Sequence, residues 1–195
     1  MPTVITPFRG FRVARATAGL LAGSAVLLAA APSGAVAQNA CLGAGAAPSV
    51  RTLHRAAGAV ICLVNEERAR HGLRALLRDG DLRHAAGRHS RNMVRRGFFS
   101  HVSPAGAGLS DRLRRTGYIH GKGAGPVGET LAWGTGASST PSLIVAGWIA
   151  SPTHHRILLR RDFRDVGVGV AAGAPPTTGA RGGVTYTLDT GVRSG

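Results

Sequence analysis

Phe163-Arg164-Asp165-Val166-Gly167-Val168-Gly169-Val170 places valine at every second position with glycine between. That period of two predicts a β-strand. Val184-Thr185-Tyr186-Thr187-Leu188-Asp189 repeats the alternation, so the two segments are predicted to pair antiparallel around the loop 173–182. Upstream of them the chain changes period, and the apolar residues recur at three and four.

Ser49 is placed to cap a helix running from Val50 to about His71, with Val50, Leu53, Ala57, Val60, Ile61 and Val64 as its core-facing stripe and Gly72 as its stop. A second helix opens near Asp79 or Asp81, whose carboxylates suit a helix N-terminus, and closes at Gly97. Its inner face reads Leu82, Ala86, His89 and Met93, so His89 reads as a buried histidine hydrogen-bonded into the core rather than as a catalytic group. Leu109 to Thr116 forms a short third helix ended by Gly117. Thr140-Pro141 and Ser151-Pro152 each pair a cap residue with proline at the first helical position. The second of these starts a turn that holds His154 near its N-terminus, with Leu158 and Leu159 free to pack inward. Helices first and strands last, joined by long crossings, predict an α+β fold: an antiparallel sheet covered by helices on both faces. There are no internal repeats.

The chain has 195 residues, enough for one domain with its own core. Residues 1–37 read as an export signal: Arg9, Arg12 and Arg15, an apolar stretch from Ala16 to Ala31, then Ala35-Val36-Ala37 as the cleavage site before Gln38. Residues 38–49 follow as a short arm and 50–195 as the folded domain. The apolar stretch is shorter than a membrane span, so the mature form is expected to carry no transmembrane segment. Outside the cell, the pair Cys41 and Cys62 is most simply one disulfide; a catalytic cysteine would leave the other thiol unpaired. The net charge is +15, and Lys122 is the one lysine among 24 basic residues. Two readings of that charge stand: an anionic partner such as a cell-wall polymer, or codon bias, since Arg, Ala and Gly dominate together. Nucleic acid is not expected, because the basic runs lack interleaved aromatics.

Motif reading leaves few chemical candidates. Gly123 to Gly128 spells a dinucleotide-binding glycine pattern but lacks a preceding hydrophobic strand and contains Pro126. No phosphate loop, zinc-protease His-Glu pair or Gly-x-Ser-x-Gly elbow is present. His101, Glu129 and His154 remain, each beside bulky apolar anchors. Two neutral imidazoles can hold a divalent metal, with a carboxylate or water completing the shell. Their wide spacing is no local metal signature, and scattered structural roles are the alternative reading.

Seven ordered segments carry a resemblance. They are Leu63 to Leu73, His89 to Met93, Phe98-Phe99-Ser100-His101, Asp111-Arg112-Leu113 with Gly117-Tyr118, Gly128 to Ala132, Trp148 to Leu159, and Phe163 to Gly169. In this order the chain resembles the CAP superfamily of secreted cysteine-rich, antigen-5 and plant pathogenesis-related proteins, most closely its bacterial branch. The resemblance implies a three-layer α-β-α sandwich with a central antiparallel sheet and one open cleft. It implies a cleft lined by His101, Glu129, His154 and Ser151, in which His101 and His154 bind zinc or another divalent ion. Ser151 stands where animal and plant members carry a second glutamate, so any metal would be held more weakly. His155 stands where bacterial relatives often carry arginine and is not expected to be a ligand.

Membership of a fold does not settle activity. The expectation is a secreted or envelope-associated binding module for a divalent metal or a small polar or lipid ligand, not an enzyme. The alternative is a metal-assisted hydrolase of peptide or cell-wall material, with Glu129 as the catalytic base. A third reading makes the polar cluster a buried hydrogen-bond network that only holds the layers together.

Overall fold

The computed structural model describes residues 41–121, 125–176, 179–180 and 182–193. The expected export signal, the first residues of the arm and Lys122 lie outside the described residues. Helices α1 (Leu53–Arg70), α2 (Gly80–Arg96), α3 (Leu109–Thr116), α4 (Pro141–Ala150) and α5 (Pro152–Leu158) surround strands β1 (Leu77–Arg78), β2 (Val127–Gly134), β3 (Asp165–Ala172) and β4 (Val184–Gly191). The sheet order is β1-β3-β4-β2.

The two strands read from alternation pair antiparallel, with Val168 opposite Leu188. β2 adds antiparallel to the other side of β4. The two-residue β1 joins β3 in parallel and makes the sheet mixed at that edge. Helix boundaries follow the capping chemistry. Asp79 accepts from the amides of Asp81 and Leu82, and Gly97 ends α2 in the left-handed region at φ 68°. Thr140 accepts from Leu143 N–H ahead of Pro141. The first helix begins later than the stripe suggests: Val50–Thr52 is a 3-10 turn, and Val50 is 76% exposed. There the Ser49 amide donates to Thr52 Oγ1 and the Thr52 amide to Ser49 O, closing the tighter turn ahead of α1.

Strand alternation divides the interior in two. Val166 and Val168, with Val184, Tyr186 and Leu188, join α1, α4 and α5 in the main apolar cluster, which is closed by Trp148. The indole N–H of Trp148 donates to Leu131 O at 3.1 Å, tying α4 to β2. On the other face Gly167 and Gly169 lie against α2. A Cβ on Gly169 would come within 2.1 Å of Gly87 N, and one on Gly167 within 2.1 Å of Arg83 N. Glycine is required there because the helix backbone occupies the space of a side chain. A smaller cluster of Leu82, Ala85, Leu113, Tyr118 and Ile119 closes this side. The result is an α-β-α sandwich with α1, α4 and α5 on one face and α2 and α3 on the other.

Cys41 and Cys62 form the expected disulfide. The bond ties the arm to α1 across 21 residues, a closure worth about 3 kcal/mol on the loop-entropy account. Ser142 of α4 donates to Ala44 O through both its amide and its hydroxyl, so the arm is pinned at a second point.

Candidate functional site

Glu129 lies on β2, an edge strand, directly opposite Asp189 of β4. Its neighbour Gly128 faces Ile157 and Phe163 on the apolar side, so Glu129 points to the side of α2 and α3. It is 5% exposed, and its carboxylate is held from two directions. Oε1 accepts from His101 Nδ1 at 2.7 Å, and Oε2 accepts from Arg112 Nη2 of α3. Arg112 Nη1 also donates to the carbonyls of His101 at 2.8 Å and Ala107 at 3.3 Å. One buried guanidinium thereby fixes both the acid and the loop that carries His101.

His89 stands behind them, 3.9 Å from Glu129 Oε2. Its Nε2 donates to Ser100 O at 3.0 Å, so the expected buried, hydrogen-bonded histidine is present. Because Nε2 carries the proton, Nδ1 holds the lone pair, and it has no partner among the described residues. Burial pushes the His89 pKa down to about 4, so the ring is neutral at neutral pH. A depressed histidine supports the fold above its ordinary value near 6.5, and that support is lost as pH falls through about 4.

The two opposed carboxyl groups are driven apart. Burial alone would raise Glu129, but the His101 hydrogen bond and the Arg112 charge outweigh it and hold the group below its ordinary value. Asp189 is fully buried, and neither of its oxygens has a hydrogen-bond partner among the described residues. Burial, reinforced by the charge of Glu129, pushes its carboxyl well above the usual range. The Glu129 carboxylate is therefore stabilised as an anion by Arg112, and the second acid is pushed towards its neutral form.

His154 reaches the region from α5, in the opposite layer. It is buried, and its Nδ1 has no partner among the described residues. Burial, and then the charge of His101, lower its pKa. Ser151 is half-buried where α4 ends and α5 begins, and its hydroxyl makes no cap bond. The pairing of His101 with Glu129 is present. The two do not, however, belong with His154 to any set of three donor atoms within 4.8 Å of one another among the described residues.

The donors fit a metal in part. A carboxylate that accepts from Nδ1 orients His101 so that Nε2 offers its lone pair, and half of the His101 side chain is exposed. The partnerless Nδ1 of a neutral His154 is a second free nitrogen. Glu129 does not fit as a third ligand, because both its oxygens are engaged.

Sequence reasoning missed Arg112 and Asp189. Arg112 fell within a quoted segment without a role. Asp189 carried a usable signal: an acid at an interior position of a central strand needs either a proton or a partner. Arg112 and His89, with Arg88, Arg91, Arg95 and Arg115, also line a recess of about 330 Å³ between α2 and α3, which contains no carboxylate.

Residues 62–185 match the cysteine-rich secretory protein family, CAP, and the chain belongs to that family. The uncharacterized membrane protein YlbC of Bacillus subtilis is 35% identical over 111 residues, 57% of this chain and 30% of its own. A crystal structure of an extracellular SCP-domain protein from Bacillus anthracis superposes with TM-score 0.59 at 27% identity, covering 74% of this chain and 44% of that one. An outer surface protein of Borrelia burgdorferi shares the fold, with TM-score 0.54 at 18% identity over 69% of this chain and 90% of its own. The chain thus spans less than half the length of YlbC and of the B. anthracis protein. Among the described residues no helix is long and apolar enough to cross a membrane.

Proposed function

We propose that the protein is an extracellular or envelope-associated binding module. Its cleft, bordered by His101, Glu129 and His154, takes a divalent metal or a small polar or lipid ligand. The observation that carries this reading is the immobilised state of Glu129: Arg112 and His101 occupy both its oxygens. A general base must reach the proton it removes and have an affinity for it near the working pH. Here the neighbouring cation and hydrogen bond keep that affinity low. A metal-assisted hydrolase is thereby disfavoured.

When zinc or a similar ion is bound, Nε2 of His101 and a nitrogen of His154 would hold it beside water, and the ion would offer a positive contact to a ligand oxygen. Glu129 would act by orienting His101 through Nδ1, and Arg112 by fixing Glu129. Localisation outside the cytoplasm is supported by the disulfide and by the extracellular and outer-surface descriptions of the two structural relatives. The arginine-lined recess supports an anionic envelope polymer as a further contact.

Calorimetric titration of zinc into wild type, His101→Ala and His154→Ala tests the metal arm. Each substitution should remove one equivalent; unchanged stoichiometry in both would end the metal claim. Incubation with zinc and a peptide and peptidoglycan library tests the rival. Cleavage that Glu129→Gln abolishes would replace binding with catalysis.

A further inference from the structure

A second group of donors lies outside the cleft. Glu67 and His71 sit one turn apart at the C-terminal end of α1, and His155 faces them from α5. Glu67 Oε1 is 3.1 Å from His71 Nε2 and 3.1 Å from His155 Nε2. The three donor atoms all lie within 4.8 Å of one another. The two rings meet edge to face, with centroids 5.5 Å apart.

The frame around them is rigid. Arg68, fully buried, donates to Arg74 O, Leu158 O and Arg160 O, locking the end of α1 to the end of α5. The position of His155 relative to Glu67 and His71 is therefore set by the fold and not by two flexible side chains finding each other. Glu67 is buried, while the side chains of His71 and His155 are 46% and 28% exposed, which leaves room for water as a further ligand. The carbonyl end of α1 adds negative potential at the same place. Arg70 opposes a cation, but it holds Oε2 and leaves Oε1 to the two imidazoles. Its own side chain is 64% exposed and free to turn into solvent.

We propose that Glu67 Oε1, His71 Nε2 and His155 Nε2 form a binding site for zinc or another divalent ion that prefers imidazole, separate from the cleft. His155, not expected to be a ligand from the sequence, is one here. Two imidazoles and one carboxylate with an open position suit zinc or cobalt, not magnesium or calcium, which favour all-oxygen shells. Binding replaces the two N–H···O contacts with two N–metal bonds, each neutral ring carrying its proton on Nδ1 instead. The ion would clamp α5 to α1, and α5 is the helix that brings His154 to the cleft.

Cobalt(II) titration of the full chain, followed by visible absorption with zinc as competitor, tests this. The His101→Gln/His154→Gln variant should keep one equivalent with the absorption of a nitrogen- and oxygen-ligated ion. His71→Gln and His155→Gln should each weaken that equivalent at least about tenfold. Glu67→Gln, which can still bond the histidines, should weaken it as well. Zinc should raise the melting temperature of the cleft variant, and adding His71→Gln and His155→Gln to that variant should abolish the rise. Failure of the cleft variant to bind any metal, or unchanged binding in His71→Gln/His155→Gln, would overturn the site whatever the cleft does.

Discussion

The two faces of β4 are equally buried and chemically opposite. Val184, Tyr186 and Leu188 enter the main apolar cluster. Thr185, Thr187 and Asp189, each 0% exposed, face the α2 side. There Ser90 Oγ of α2 donates to Gly169 O at 3.0 Å and shares a 2.8 Å hydrogen bond with Thr187 Oγ1. One layer is held by apolar area, which tolerates small shifts of position. The other adds to its smaller apolar cluster hydrogen bonds, one buried ion pair and backbone contact at two glycines, which do not. The second layer keeps one set of charges and lone pairs at fixed positions: Glu129, Arg112, His89 and Asp189 are all in it.

The largest break in this contrast should come from Arg112→Met. It leaves the Glu129 carboxylate buried without its cation, at a cost of about 3–5 kcal/mol. Urea unfolding should show that loss, and adding Glu129→Gln should recover part of it. A loss below about 1 kcal/mol would mean that the ion pair does not hold this layer. Next comes Gly169→Ala, whose methyl would meet the α2 backbone at Gly87. Pushing the helix off the sheet should cost about 2–3 kcal/mol, read as a lower denaturant midpoint. Val168→Ala on the opposite face gives the cavity cost for comparison.

The smallest effect sharpens the comparison instead of breaking it. Asp189 has its folded pKa raised by burial, so the folded state holds a proton that the unfolded chain releases above its ordinary pKa. Its contribution to stability is complete below that value and declines as pH rises towards the folded pKa. Asp189→Asn should therefore change stability at pH 4 by about 1 kcal/mol or less, and it should flatten the decline above pH 4. Melting temperatures across that range check the slope, and an unchanged slope would mean that Asp189 is ionised in the folded protein.

Much of the fold was legible. The caps Thr140-Pro141 and Ser151-Pro152, the stops Gly97 and Gly117 and the alternation at Val166–Val170 and Val184–Leu188 all mark elements that form where they read. β2 was assigned no strand. From Gly128 to Ala132 it is buried on both faces, so it lacks the polar alternation that marks a half-exposed strand. β1 is too short for any periodicity. Of the expected cleft residues, His101 and Glu129 lie in contact. His154 was found as a residue, but it approaches from another layer. Arg112 and Asp189 went unassigned because their roles depend on which group stands across a strand or helix.

The sequence by itself determined the helices, most of their ends, the antiparallel pair and the disulfide partners, because capping, periodicity and a lone cysteine pair are local or countable properties. Only the tertiary structure decided which carboxyl group is pushed up in pKa and which down, which face of the sheet is polar and which histidines share a partner. Those outcomes depend on burial and on distances of a few ångströms between residues far apart in the chain, and Coulomb and desolvation energies change steeply over such distances.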